Sequence, residues 1–158
     1  QMTDLRIDEL IFNASQETKA IYPGRKIMPK IEYPDNENDL IIYGNQGLLD
    51  IALKNLFENA CKFSSNDVEV KISMVDDAIS VCITDHGVGI PEDQIGNIFN
   101  AFNRSTNVKY IGGFGIGLSI VARIMKLHAV EINVKSMINE GTQFELLFGK
   151  QTVQSVEV

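Results

Sequence analysis

One helix in this chain has to carry two opposed faces. The run Leu53-Lys54-Asn55-Leu56-Phe57-Glu58-Asn59-Ala60-Cys61-Lys62-Phe63, wound at about 3.6 residues per turn, sets Leu49, Ala52, Leu53, Leu56 and Ala60 in an apolar stripe suited to a sheet. Asn55, Asn59, Lys62 and Phe63 fall at i, i+4, i+7 and i+8, so two amides, an ammonium and an aromatic ring share a second face. An amide oxygen is a hard ligand suited to Mg²⁺, a lysine gives phosphate a point charge, and a phenyl ring gives a base a stacking plane. The combination suggests a magnesium nucleotide. The alternative is a surface helix on which Asn and Lys are incidental.

A second segment bears on that choice. Ser80-Val81-Cys82-Ile83-Thr84 reads as a strand and runs straight into Asp85-His86-Gly87-Val88-Gly89-Ile90-Pro91. Gly87 and Gly89 let the backbone turn and approach a flat ligand, and the Asp85 carboxylate can accept from an exocyclic amine such as that of adenine; an ordinary Asp-x-Gly turn is the competing reading. A third segment, Gly112-Gly113-Phe114-Gly115-Ile116-Gly117-Leu118-Ser119-Ile120-Val121, puts four glycines ahead of a helical period from Leu118 to Leu127. Free amides at a helix N-terminus suit phosphate. Neither a Rossmann nor a P-loop context surrounds these glycines, since Asn103 to Ile111 is polar and Gly117 is followed by Leu118. Taken alone the segment fits a hinge equally well.

Taken in order, the Asn-rich helix, Asp85-x-Gly87-x-Gly89, Ile98-Phe99-x-x-Phe102, Gly113-x-Gly115-x-Gly117-Leu118 and Gly141-Thr142 resemble the ATP-binding catalytic domain of sensor histidine kinases, within the wider GHKL ATPase superfamily. The matching stretch runs from about Gly44 to Phe148. The resemblance implies that Asn59 ligates Mg²⁺, with Asn55 one turn earlier, that Lys62 contacts phosphate, and that Phe63 lies against adenine where many relatives have Tyr. It implies that Asp85 binds the adenine amine, that Gly87 and Gly89 shape the base pocket, and that Thr142 lies beneath the base. Gly113, Gly115, Gly117 and Leu118 match the glycine box that closes over the triphosphate. Phe99 and Phe102 match a phenylalanine box that anchors a loop to the core. Arg104 stands where relatives often carry a basic residue near the phosphates, a solvated arginine being the alternative. The chain departs from the family after His128, where Ala129-Val130-Glu131 replaces the Gly-Gly pair of many relatives; this should alter turn geometry more than nucleotide chemistry. Residues 100–111 are expected to form a mobile lid.

The fold implied is a two-layer α/β (α+β) sandwich of the Bergerat type, a largely antiparallel mixed sheet with three main helices on one face. The sequence pattern predicts helices over Asp8 to Ile21, Gln46 to Lys62 and Leu118 to Leu127. It predicts strands at about Lys30 to Tyr33, Leu40 to Tyr43, Glu69 to Met74, Ala78 to Thr84, Glu131 to Lys135 and Thr142 to Phe148. Residues 1–148 read as one domain, and 149–158 as a tail or linker. No apolar run approaches the ~18 residues of a membrane span, and charges at Asp4, Arg6, Asp8 and Glu9 interrupt any signal-like start. A net charge of −7 argues against nucleic acid as a partner. Cys61 and Cys82 sit in apolar contexts, lack metal-ligand spacing, and read as reduced core residues.

The function expected is transfer of the γ-phosphoryl group of ATP, with Mg²⁺, to a histidine on a separate dimerisation or phosphotransfer domain, a response regulator acting downstream. His86 and His128 are the only histidines. Neither has a phosphoacceptor context, so the chain should not phosphorylate itself; His128 is expected to be dipole-stabilised or simply exposed at a helix end. The residues that would serve the chemistry are Asn55, Glu58 and Lys62, with the proton acceptor either Glu58 or a group of the absent domain. A monomeric, cytoplasmic module without direct membrane contact is expected. The alternatives are a GHKL ATPase, an anti-sigma-type protein kinase, and a degenerate binding module. Hydrolysing relatives usually carry a glutamate base where this chain has Asn55, and an amide is a poor base.

Overall fold

In the computed structural model, which describes residues 1–65, 67–100 and 117–149, the elements run β1 (Thr3–Arg6), α1 (Ile7–Ile21), β2 (Ile27–Ile31), a 3-10 turn (Glu37–Leu40), β3 (Ile41–Gly44), α2 (Gln46–Lys62), β4 (Val68–Val75), β5 (Ala78–Asp85), α3 (Glu92–Ile95), α4 (Gly117–Leu127), β6 (Glu131–Met137) and β7 (Gly141–Phe148). Phe102, Arg104, Gly112, Gly113 and Gly115, the lid expected beyond Asn100 and the tail beyond Gly149 lie outside the described residues.

The main sheet has five strands in the order β2-β4-β5-β7-β6. Only the β2–β4 pair is parallel; the others are antiparallel. Side chains alternate across each strand. Val70 and Ile72 of β4, Ile79, Val81 and Ile83 of β5, and Phe144, Leu146 and Phe148 of β7 are therefore buried on one face. The helices α1, α2 and α4 cover that face, with α2 between the other two. The result is the expected two-layer α+β sandwich.

The apolar stripe of α2 is buried as its period requires, and Phe57 joins it with no exposed surface. Each of its leucine and phenylalanine side chains contributes about 1.5–3 kcal/mol on burial. The helix starts where the Asn45 side-chain oxygen accepts the Leu48 amide at 3.0 Å, an N-cap that satisfies a donor the helix cannot. It spans Gln46–Lys62, the bounds read from the sequence. The turn between β4 and β5 places Asp76 and Asp77 at φ 49° and 66°, the left-handed pair that a tight hairpin uses.

Several expectations are corrected. β2 begins at Ile27 rather than Lys30, because residues 27–31 pair with residues 68–72 of β4. Pro29 is tolerated there since β2 is an edge strand. Its sequence neighbour β3 does not join that sheet. It pairs with β1, an element with too little periodicity to be read from sequence, in a separate two-stranded sheet. The short α3 was likewise not expected. Cys61 is buried, but Cys82 is half-buried on the sheet face away from the helices, its Sγ 3.6 Å from Ser80 Oγ. His128 is not exposed: it is 5% accessible, with Nδ1 2.7 Å from the Ile124 carbonyl and Nε2 accepting the Asn45 amide at 3.0 Å. The imidazole thus ties the last turn of α4 to the N-cap of α2.

Candidate functional site

Three adjacent strands, β5, β7 and β6, lay their helix-facing residues in register. The rows read Val81–Leu146–Ile132, then Ile83–Phe144–Val134, then Asp85–Thr142–Ser136. The face is apolar until its last row, where a carboxylate and two hydroxyls appear together. Asp85 and Thr142 are both buried. Burial pushes the Asp85 carboxyl above its ordinary value, while the backbone amides of Gly87 and Thr142, and then the charge of His86, pull it down. The Gly87 amide reaches Oδ1 at 3.0 Å. A carboxylate has about four acceptor positions, so capacity remains for a ligand donor.

The glycines around this row are demanded by the protein's own backbone. A Cβ on Gly87 would stand 1.8 Å from the Phe63 carbonyl oxygen, and one on Gly89 2.1 Å from that of Met137. The Val88 amide donates to the Phe63 carbonyl and the Asn139 amide to the Val88 carbonyl. The loop after Asp85 is thereby stitched to the end of α2 on one side and to the β6–β7 turn on the other. The sequence reading of Asp85-x-Gly87-x-Gly89 was close approach to a flat ligand; what these glycines approach closely in the structure is the main chain of Phe63 and Met137.

The second face of α2 meets this site. Phe63, half-buried, follows the last turn of α2 beside Gly87, and Lys62 is exposed. Asn59, one turn back, is 6% accessible, and its amide nitrogen has no partner. Another turn back, the Asn55 amide donates to the Ile51 carbonyl at 2.9 Å, and its Oδ1 lies 3.1 Å from where a Cβ on Gly117 would stand. Gly117 opens α4, whose next residue, Leu118, is buried in the core. So α2 runs from the start of α4 at Asn55 to the polar row at Phe63, about 12 Å at 1.5 Å per residue. Glu58 is turned the other way, its charge felt by Tyr22 at the end of α1 and by Lys54.

The model of the histidine kinase-, DNA gyrase B- and HSP90-like ATPase family matches residues 44–152. The chain belongs to that family. It is 36% identical over 137 residues to the heme sensor protein HssS of Staphylococcus saprophyticus, covering 80% of this chain and 29% of that protein. It is 30% identical over 118 residues to the sensor histidine kinase YkoH of Bacillus subtilis, 73% of this chain and 26% of that one. This ATPase-family domain therefore spans under a third of the length of the curated relatives it matches. Among solved structures, a mycobacterial sensor histidine kinase, MprB, superposes with a TM-score of 0.79 at 22% identity, over 94% of this chain and 97% of that one. Full-length ShkA in complex with AMPPNP gives a TM-score of 0.77 at 24% identity, over 94% of this chain and 31% of that one.

Within the family frame, the sequence motifs named Asp85, Thr142, Asn59, Asn55 and Gly117, and the fold brings these to one end of the sheet and one face of α2. Sequence reasoning missed Ser136, the third member of the polar row. Its signal was the inward alternation Ile132, Val134, Ser136, which turns polar at the strand end. Among the described residues no cluster of three or more His, Cys, Asp or Glu side chains stands ready for a metal. A cation held here would draw most of its oxygens from a ligand and water, the habit of Mg²⁺.

Proposed function

We propose that this domain is the catalytic ATP-binding module of a sensor histidine kinase, binding Mg²⁺-ATP and delivering the γ-phosphoryl group to a histidine on a separate helical domain. The observation that carries the reading is Asn59, buried in the last turn of α2 with an amide nitrogen that has no partner: that N–H is a donor left over for a phosphate oxygen, and the Oδ1 of the same amide is the atom a cation would take. Asp85 and Thr142 would receive the adenine, Phe63 would lie against it, and Gly87 and Gly89 would shape the pocket. Lys62, Gly117 and the amides opening α4 would face the phosphates, joined by Arg104, Gly113 and Gly115. Asn59 would hold Mg²⁺, which when bound neutralises phosphate charge. Catalysis of this kind is positioning plus charge stabilisation, with little covalent work for the protein. Asn55 would orient without acting as a base, and the proton acceptor belongs to the companion domain, since Glu58 faces α1.

Partners follow from the same reading: the histidine-bearing dimerisation domain, and a response regulator after it. Among the described residues no helix is long and apolar enough to cross a membrane; the module would act on the cytoplasmic side of its parent as a monomer. The test is calorimetric titration with a non-hydrolysable ATP analogue and Mg²⁺, followed by addition of a histidine phosphotransfer domain and labelled ATP. Acid-labile label on the added domain is the expected result. Steady phosphate release without labelled protein would instead support an ATPase, a reading that Asn55 in place of a glutamate disfavours.

A further inference from the structure

We propose that Ser136 is a positioning residue that fixes the direction of the Thr142 hydroxyl and so makes the base pocket select a 6-amino purine over a 6-oxo purine. The inference rests on the nucleotide reading above.

It follows from counting protons. Ser136 Oγ lies 2.7 Å from the Ile90 amide nitrogen, 2.9 Å from the Gly141 carbonyl oxygen and 2.8 Å from Thr142 Oγ1. The amide can only donate and the carbonyl can only accept, while each hydroxyl owns one proton. Two oxygen–oxygen contacts this short each need a proton between them. The contact to Gly141 can take its proton only from Ser136, because the carbonyl has none to give. The proton in the remaining contact must then come from Thr142. Thr142 accordingly spends its donor on Ser136 and has only lone pairs to offer elsewhere.

Its neighbour in the row is Asp85, paired with Thr142 across β5 and β7. The Asp85 carboxylate also offers only lone pairs, its nearest donors being backbone amides. The polar end of the sheet is thus acceptor-only. An exocyclic amine, with two N–H groups, suits such a surface. A carbonyl oxygen at the same position meets lone pairs and leaves both acceptors unpaired. Ser136 makes the arrangement one-directional, for without it the Thr142 hydroxyl can turn and donate.

The experiment compares binding of ATP and of ITP, its 6-oxo counterpart, each with Mg²⁺, by calorimetry on the whole chain. Wild type should prefer ATP. Ser136→Ala should lower the ATP:ITP preference about tenfold, the size of one hydrogen bond redirected toward the ligand. Ser136→Thr, which keeps the hydroxyl, should retain it. In a Thr142→Val background Ser136→Ala should leave the ratio where Thr142→Val alone puts it. Equal weakening of both nucleotides by Ser136→Ala, with the ratio intact, would show a purely structural role and overturn the inference. A shift that persists in the Thr142→Val background would overturn it as well. Should Ser136→Ala not fold, Ser136→Cys, whose sulfur accepts poorly, must lower the ratio in the same direction. Failure of wild type to bind either nucleotide would remove the nucleotide reading itself, whereas ATP-selective binding that Ser136 does not influence would defeat only this inference.

Discussion

Asn59 holds an amide nitrogen in the interior without a partner, and an unmet buried polar group costs about 1–3 kcal/mol. On the proposed reading, Asn59 opposes stability to function. Asn59→Ala should leave the free domain at least as stable, while removing the part of nucleotide affinity that Mg²⁺ confers. Titrations with and without EDTA check this, and equal EDTA sensitivity in mutant and wild type would exclude Asn59 as the metal ligand. Asp85 gives a pH prediction of definite sign. Burial lifts its pKa above the ordinary 3.8, so the folded chain keeps this proton to higher pH than the unfolded chain does. The resulting stabilisation is complete below the ordinary value and is lost as pH rises through the folded one. The carboxylate, the better acceptor for an amine, grows in over the same window, so nucleotide affinity should rise where stability falls. Denaturant titrations and calorimetry from about pH 4 to pH 7 measure both slopes, and Asp85→Asn should flatten both. An affinity indifferent to pH in wild type would mean that another group reads the base. Asn59, Asp85 and Thr142 could be picked out as candidates because each sits in a spaced motif, and the structure buries all three. Ser136 had only the polar end of the alternation Ile132, Val134, Ser136 to mark it, because its membership of the row depends on the β6–β7 register, which the chain acquires by folding.

At the scale of elements, the end of α4 shows how a fold accommodates a departure from its family's pattern. The Ala129 amide donates to the Lys126 carbonyl and the Val130 amide to that of Met125, the paired bonds of a Schellman cap. Val130 and Met125, which should touch across such a cap, are both buried. The cap requires a left-handed residue, and Ala129 takes that conformation at φ 53°. An L-residue pays about 1–2 kcal/mol there, offset in part by the extra freedom that glycine loses on folding. Ala129→Gly should therefore stabilise the domain by about 0.5–1 kcal/mol. The expected observation is a higher denaturant midpoint with an unchanged slope; a lower midpoint would mean that the alanine methyl packs usefully. The missing glycine was legible in the sequence, and the structure places Ala129 in the turn after α4. The bounds of α2 were legible too, since Asn45 and the period of Leu49, Leu53, Leu56 and Ala60 agree. Pairing was harder to read. β1 becomes a strand only because residues 3–6 pair with residues 41–44 of β3, a contact across the whole of α1 that leaves no mark in the run Thr-Asp-Leu-Arg.

For the whole molecule, the decisive property is what the two histidines are doing. His128 has both ring nitrogens engaged, one at the Ile124 carbonyl and one at the Asn45 amide, and it is buried. A phosphoryl group could reach neither nitrogen without parting α4 from α2. His86 is exposed, with Nε2 3.7 Å from Glu69, but it follows Asp85, which on the proposed reading receives the base, whereas phosphate chemistry would take place toward Asn55 and Gly117. The chain incubated alone with Mg²⁺ and γ-labelled ATP should therefore carry no acid-labile phosphate, and His86→Ala should not alter the outcome. Label should appear only when a helical domain bearing an accessible histidine is added, and then on that domain, in proportion to its concentration. Label on this chain that vanished with His86→Ala would place the phosphates at the opposite end of α2 from Gly117 and reverse the orientation assigned to the nucleotide.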